Sequence, residues 1–479
     1  MNSETYLKKI VPNLAIFSLA VMASVVSQFS EVYVPNFGYI ILMLTLLSMF
    51  SKQIFPYVLI ASFVLSNDIV PQAANAFTFY DVSVLSLSAP ALITLSMLAL
   101  ILYNYLNPNR VESRSFLDRR ILIYILVLAY SALNGLISGH LNREFVNDLA
   151  VYITPITFAI FFYTFYRKDW LHLFSYLLLL VSAKYAAALL NFYFDYGDVI
   201  GDTIMIVVDS TRNVTPAIVV LLIAISISSR LRLVKHSWLM IFMAVAIFVT
   251  INSASRTNLI ISVFIVLVFW INMRILKVGS FRSSAGMRLL ILTIATGIFV
   301  GSVFIFTDTG FITWKLTSIL PSTDGFDRRN MSSSVRYFEA LNIYHYLKDN
   351  NQLFLGVGFG GYFQDNYFQF ANQVYDTFTY PDEWIDNRTL YKPHTYPTLI
   401  VLKSGVLGLV LVAVVVLGFV FSTNRNFVES ANEVEKVIFA GLSAALLILF
   451  YKSFNIKLQF FLGMFLYASL SLKWMVCKK

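Results

Sequence analysis

The chain has 479 residues, of which 58% are hydrophobic and 13% charged, with a mean hydropathy of +0.73. A water-soluble domain cannot cover that much apolar side chain with so few polar residues. The apolar residues form continuous runs rather than the short alternating segments of a membrane barrel, so the composition predicts an all-α integral membrane protein. The single cysteine, Cys477, excludes an intramolecular disulfide and a cysteine metal cluster.

About fourteen apolar stretches are long enough to predict a polytopic protein. They lie at 10–29, 34–51, 54–67, 83–106, 120–139, 149–166, 171–194, 213–229, 237–252, 258–273, 288–306, 396–422, 437–452 and 457–473. The first has no convincing small-residue cleavage site, so we interpret it as a retained span rather than a removed signal peptide. The stretch at 54–67 is short for a full span, which leaves open a re-entrant pair with 34–51.

The lysines and arginines predict the orientation of these spans. With a cytoplasmic N-terminus, the same side receives Lys8, Lys9, Lys52, Arg110, Arg114, Arg119, Arg120, Arg167, Lys168, Arg230, Arg232, Lys235, Arg274, Lys277, Arg282, Arg288, Arg425, Lys436, Lys473, Lys478 and Lys479. The opposite short loops contain only Arg143, Arg212, Arg256, Lys452 and Lys457. This asymmetry follows the positive-inside rule and predicts that both termini are cytoplasmic. The same asymmetry accounts for the net charge of +9, because the excess cations lie in the cytoplasmic loops. The charge therefore does not indicate a nucleic-acid partner.

One long polar segment, from about Phe304 to Leu409, interrupts the apolar pattern. We therefore divide the chain into residues 1–303 with eleven spans, residues 304–395 as one large outer loop, and residues 396–479 with the last three spans. In a Gram-negative cell this loop would face the periplasm.

Two arginines lie near the outer ends of spans. Arg256 occupies a very short outer turn, and Arg212 begins the span at 213–229. A cation at membrane depth is costly and is usually retained for a partner. Either it extends its head to the interface as a snorkelling side chain, or both arginines face a cavity and bind a diphosphate, which suits the planar guanidinium fork.

Within the loop, Ser332 to Lys348 predicts an amphipathic helix that one of Ser332 to Ser334 could cap. Arg336 is then expected in the first turn, where a cation is unfavourable unless an anion binds there. An ion pair with a loop carboxylate such as Asp327 is the alternative.

Three further features of the loop bear on function. Glycines at 356, 358, 360 and 361 indicate sharp backbone bends but match no phosphate-binding fingerprint. His394 is the best acid–base candidate, because imidazole titrates near neutral pH. The many aromatic residues between Gly360 and Tyr396 fit either sugar rings or a lipid interface. No P-loop, His-Glu-x-x-His or paired-aspartate motif is present, so the sequence predicts no metal and no cofactor.

The order of these motifs resembles the O-antigen polymerase (Wzy) and O-antigen ligase (WaaL) superfamily of bacterial envelope enzymes. The elements are a Ser-Arg pair at a short outer turn, an arginine opening a loop helix, Gly356-Val357-Gly358-Phe359-Gly360, His394, and Gly405-Val406-Leu407-Gly408. The resemblance covers roughly residues 212–422. It departs from the family at Thr395, since an asparagine often follows the histidine there.

This resemblance implies a metal-independent, inverting glycosyltransferase of the lipid-sugar-using (GT-C-like) type in the bacterial inner membrane. Its substrate would be an undecaprenyl-diphosphate-linked oligosaccharide, and a chain-length regulator is the protein partner that it suggests. Arg256, Arg336 and Arg212 would bind the donor diphosphate, and His394 would take the proton from the attacking sugar hydroxyl. The length of the chain and of its loop favours a polymerase over a ligase that transfers the glycan to lipid A core. A polysaccharide flippase is the alternative from another class.

Overall fold

A computed structural model describes residues 15–23, 37–66, 79–80, 82–84, 87–106, 119–194, 213–229, 256–278, 331–369, 382–421, 425–453 and 455–478. Most of these residues are helical. Residues 15–23 are helical, and the helices after them are α1 (Phe37–Ser48), α2 (Phe55–Leu65), α3 (Ala89–Leu106), α4 (Arg119–Ile137), α5 (Arg143–Tyr166), α6 (Trp170–Phe194), α7 (Thr215–Ser229), α8 (Arg256–Ile275), α9 (Met331–Asp349), α10 (Asp382–Asp386), α11 (Tyr396–Phe421), α12 (Arg425–Ser430), α13 (Glu433–Lys452) and α14 (Ile456–Lys478). Two short antiparallel strands, β1 (Ser83–Val84) and β2 (Leu87–Ser88), precede α3.

Seven of the described helices are long and apolar enough to cross a membrane: α3, α4, α5, α6, α11, α13 and α14. The protein is therefore an all-α chain with several membrane-spanning helices. The predicted spans at 237–252 and 288–306 lie outside the described residues, so the count of fourteen stays a prediction.

Two predicted span boundaries were wrong. Helix α5 begins at Arg143 rather than near 149, because the Asn142 side chain caps it by accepting a hydrogen bond from the Phe145 amide at 2.9 Å. The predicted span at 83–106 is helical only from Ala89, because β1 and β2 occupy its first residues. Helix α2 is also shorter than its predicted span, with 11 residues. At about 1.5 Å per residue, it does not cross a bilayer core as a helix.

The directions in which the long helices run follow from their contacts. Phe158 and Phe162 of α5 pack on Phe460 and Tyr467 of α14, and because both residue numbers rise together, the two helices are parallel. Residues 406–421 of α11 are antiparallel to α4: Ser404, just before them, bonds to Ser131, whereas Arg120, at the other end of α4, donates to the carbonyl of Gly418.

The described parts of the long polar segment pack as a layer on one end of this bundle. We call residues 331–369 and 382–395 the loop layer. Its small core is separate from the main core and includes Leu402 of α11. The apolar residues that build it are Val335, Phe338, Ile343, Leu347, Val357, Phe363, Leu390 and Leu402. This second core fixes the loop layer over the ends of α4, α5 and α11.

Candidate functional site

Helix α11 is broken at Gly405, which adopts a left-handed φ of 67°. Before the break, Tyr396 bonds to Tyr124 and Ser404 bonds to Ser131, so residues 396–404 run in the same direction as α4. After the break, residues 406–421 run in the opposite direction, towards Arg120. The chain therefore reverses at Gly405, so the predicted span at 396–422 is two helical arms rather than one straight crossing. Its short arm, residues 396–404, leads from the interior of the bundle back towards the loop layer.

A break in a helix leaves backbone amides and carbonyls without partners inside that helix, and where they are buried other groups must satisfy them. Residues 353–359 supply them. The Val357 and Gly358 amides donate to the carbonyls of Leu402 and Lys403 at 2.8 and 3.0 Å. The amides that follow the break, of residues 406 and 407, donate in turn to the carbonyls of residues 353 and 354.

Glycine is required where these backbones meet. A Cβ on Gly358 would overlap the backbone of Gly135 in α4, and a Cβ on Gly356 would overlap the backbone of Gly405. Both loop glycines also have positive φ, at 80° and 71°. The glycine motif is therefore a close-packed plug between α4 and α11, and that contact, not a turn alone, explains its composition.

A buried ion pair ties this plug to α5. The Lys403 ammonium lies 2.7 Å from a carboxylate oxygen of Asp148, and both side chains are at most 1% exposed. Lys403 also donates to the Gly361 carbonyl, and the Gly360 amide donates to Asp148 at 2.9 Å. Each charge thus has further hydrogen bonds besides its partner, as a buried pair needs.

His394 lies two residues before the inner end of the short arm, where Thr395 caps the helix through Thr398. Its Nδ1 is 2.5 Å from a carboxylate oxygen of Glu339 in α9, and its backbone amide also donates to that carboxylate. Glu339 is fully buried, while the His394 side chain is 30% exposed. A carboxylate that accepts from Nδ1–H leaves Nε2 as the basic nitrogen, so His394 has the geometry of an oriented general base.

Arg336 lies on the same helix as Glu339, one turn earlier, and is half-buried. Residues three apart on a helix are neighbours on its surface. The placement of Arg336 in the first turn was wrong, because α9 begins at Met331 and Arg336 is its sixth residue. The first-turn explanation of its charge therefore does not hold. The suggested partner, Asp327, lies outside the described residues.

The other two predicted arginines are less well located. Arg256 is the first residue of α8, in agreement with a short turn before that span, but its side chain is outside the described part of the structure. Arg212 also lies outside the described residues. Of the four predicted site residues, the structure describes the side chains of His394, which contacts Glu339, and of Arg336, which precedes Glu339 by three residues on α9.

Sequence reasoning missed three residues: Glu339, Asp148 and Lys403. A signal for Glu339 was present, because it falls four residues after Val335 on the apolar face of the predicted helix. A carboxylate on a buried face indicates a partner. Asp148 and Lys403 were equally visible as charges within or beside apolar spans. Their pairing was not, since more than 250 residues of chain separate them.

No protein-family model, no curated protein and no solved structure shows a significant match to this chain.

Proposed function

We propose that the protein is a surface-polysaccharide polymerase that joins undecaprenyl-diphosphate-linked repeat units at the outer face of the bacterial inner membrane. The single observation that carries the proposal is the pair formed by Glu339 and His394, with Arg336 one turn away on the same helix. A base beside a cation is what glycosyl transfer from a lipid diphosphate needs: one group takes a proton and the other stabilises a departing phosphate.

In the proposed reaction, a hydroxyl oxygen of the acceptor sugar attacks the anomeric carbon of the donor sugar. The new C–O bond forms as the bond to the diphosphate oxygen breaks, which inverts the anomeric centre and releases undecaprenyl diphosphate. Nε2 of His394 takes the hydroxyl proton, and the carboxylate of Glu339 stabilises the resulting imidazolium. Arg336, with Arg256 and Arg212, balances the charge of the leaving diphosphate.

The test is polymerisation by the purified protein supplied only with lipid-linked repeat units. We expect a ladder of lengthening glycans, and we expect His394→Ala, Arg256→Ala and Arg336→Ala each to abolish it while the protein still reaches the membrane. Lys348→Ala, an exposed cation on the same helix as Arg336, is the matched control and should keep the ladder. Ladders of normal length in all three site variants would refute the assignment.

A requirement for lipid A core as acceptor would replace the polymerase by the O-antigen ligase. The flippase alternative expects ionisable side chains along a path through the spans. Among the described spans, Lys184 is 1% exposed and donates to the Val64 carbonyl, and Lys403 is paired with Asp148. These contacts give Lys184 and Lys403 packing roles, and Lys457, also buried, likewise donates to a backbone carbonyl, that of Ser66, so these lysines do not favour transport.

A further inference from the structure

Four aromatic rings form a continuous cluster in the loop layer, next to the Glu339–His394 pair. The ring centroids of Tyr346 and Tyr362 are 6.3 Å apart, those of Tyr362 and Tyr391 are 5.7 Å apart, and those of Tyr391 and Trp384 are 5.3 Å apart. All four side chains are half-buried. We call these four residues the aromatic cluster.

Backbone pairing explains why two of these rings face outward together. Phe363 and Leu390 form an antiparallel bridge with two hydrogen bonds of 3.0 Å, and both side chains are fully buried. Tyr362 and Tyr391 are the next pair in this register. Since successive side chains in extended backbone point to opposite sides, they project away from the small core.

Two separate stretches of chain connect the aromatic cluster to the Glu339–His394 pair. Tyr346 follows Glu339 by seven residues, which is two helical turns, so it lies on the same face of α9 about 10 Å further along. Tyr391 precedes His394 by three residues, so it lies within about 10 Å of it. A short oligosaccharide that reaches His394 therefore also reaches the rings.

The position of the cluster relative to Arg336 indicates which of the two glycans, the donor or the acceptor, the cluster would bind. Along α9, Arg336 lies on the N-terminal side of Glu339 and Tyr346 on its C-terminal side. If the donor diphosphate binds beside Arg336, the sugar that gives its proton to His394 extends to the other side. That side belongs to the acceptor.

Polar groups lie near the cluster in sequence or in space, as is not typical of a purely lipid-facing patch. Lys392 and Glu144 form an ion pair of 3.4 Å, and the His140 ring lies 6.4 Å from that of Tyr362. Burial, and then the charge of Lys403, lower the pKa of His140, which keeps its imidazole neutral and able to hydrogen-bond with hydroxyls. Flat rings with such neighbours match the apolar faces and hydroxyl rims of pyranose sugars.

We propose that the aromatic cluster of Tyr346, Tyr362, Trp384 and Tyr391 is the binding subsite for the acceptor glycan. The identification of the bound glycan as the acceptor rests on the proposed function. Binding of a sugar at these rings does not itself require polymerisation. Rings fix the sugar planes, and the position next to His394 aligns the attacking hydroxyl.

The experiment measures glycan binding to the protein in lipid nanodiscs, since detergents with sugar heads would occupy the site. The probe is the lipid-free repeat-unit oligosaccharide, released by mild acid from the surface polysaccharide of the producing bacterium. We expect Tyr362→Ala and Tyr391→Ala each to weaken its binding at least about fivefold, because each removes a stacking ring. Tyr362→Phe should keep most of the affinity. Tyr344→Ala, which removes an exposed tyrosine of α9 outside the cluster, should bind as wild type.

Three other outcomes are decisive. Unchanged affinity in both alanine variants overturns the subsite, even if the protein still makes glycan ladders. Loss of affinity in these variants, together with no ladders from the wild type, supports the sugar site and rejects polymerisation. Quenching of the Trp384 signal by brominated lipids, taken as the difference from Trp384→Phe and not relieved by the oligosaccharide, would place the rings in the membrane interface and overturn the proposal.

Discussion

At the scale of single residues, the most informative feature is that His394 does not act alone. Glu339 is fully buried and accepts hydrogen bonds from both the ring and the backbone amide of His394. Removing such a carboxylate takes away the acceptor that holds the Nδ1 proton and that favours one tautomer. In the proposed reaction Glu339 is therefore a positioning residue, whose effect on the rate passes through His394.

This dependence predicts non-additive kinetics. We expect Glu339→Gln to lower kcat about 100-fold, with little change in the KM for lipid-linked substrate, because a general base typically contributes about 10²–10⁴-fold. The double variant Glu339→Gln/His394→Ala should be no slower than His394→Ala, since the glutamate has nothing left to orient. A further loss in the double variant would contradict this role. Thermal unfolding of each variant controls for a merely structural effect.

At the scale of elements, the broken helix α11 and the glycine plug depend on one another. Each satisfies the other's backbone hydrogen bonds, and the Asp148–Lys403 pair fastens both to α5. Because the inner end of the short arm follows directly on His394, the position of His394 is set by this assembly. The glycine motif therefore has a structural explanation that requires no ligand contact.

The buried ion pair gives the prediction at this scale. Lys403→Met should destabilise the protein by about 3–5 kcal/mol, because it leaves the Asp148 carboxylate buried without a counter-charge. Asp148→Asn/Lys403→Met removes both charges, and it should recover a large part of that loss. Thermal or denaturant unfolding in one detergent measures the double-mutant cycle. A double variant whose loss equals the sum of the losses in Lys403→Met and in Asp148→Asn alone would mean that the two charges are not energetically coupled.

At the scale of the whole molecule, the helix directions agree with the topology predicted from charge. Predicted spans six and fourteen should run in the same direction, and their helices, α5 and α14, are parallel. Predicted spans five and twelve should run oppositely, as α4 and residues 406–421 do. These directions are internal to the bundle, so the side that faces the cytoplasm stays a prediction.

The only cysteine offers a direct test of that orientation. Cys477 is exposed near the C-terminus, which the charges predict to be cytoplasmic. A membrane-impermeant maleimide should label the wild type only after the inner membrane is opened. In a Cys477→Ser background, Asn387→Cys places an exposed thiol in the loop layer, and it should be labelled in intact spheroplasts. The reverse pattern would invert the topology.

The sequence by itself determined that the chain is an all-α membrane protein, located most of the described helices, and identified His394 and Arg336 as candidates. These properties are local: hydropathy over one span, charge at its ends, and residue type within one loop. The break at Gly405, the plug, the Asp148–Lys403 pair and the Glu339–His394 pair were decided only by the tertiary structure. Each joins groups that are far apart in sequence. A one-dimensional pattern does not specify which distant backbone group or charge will satisfy a buried polar group.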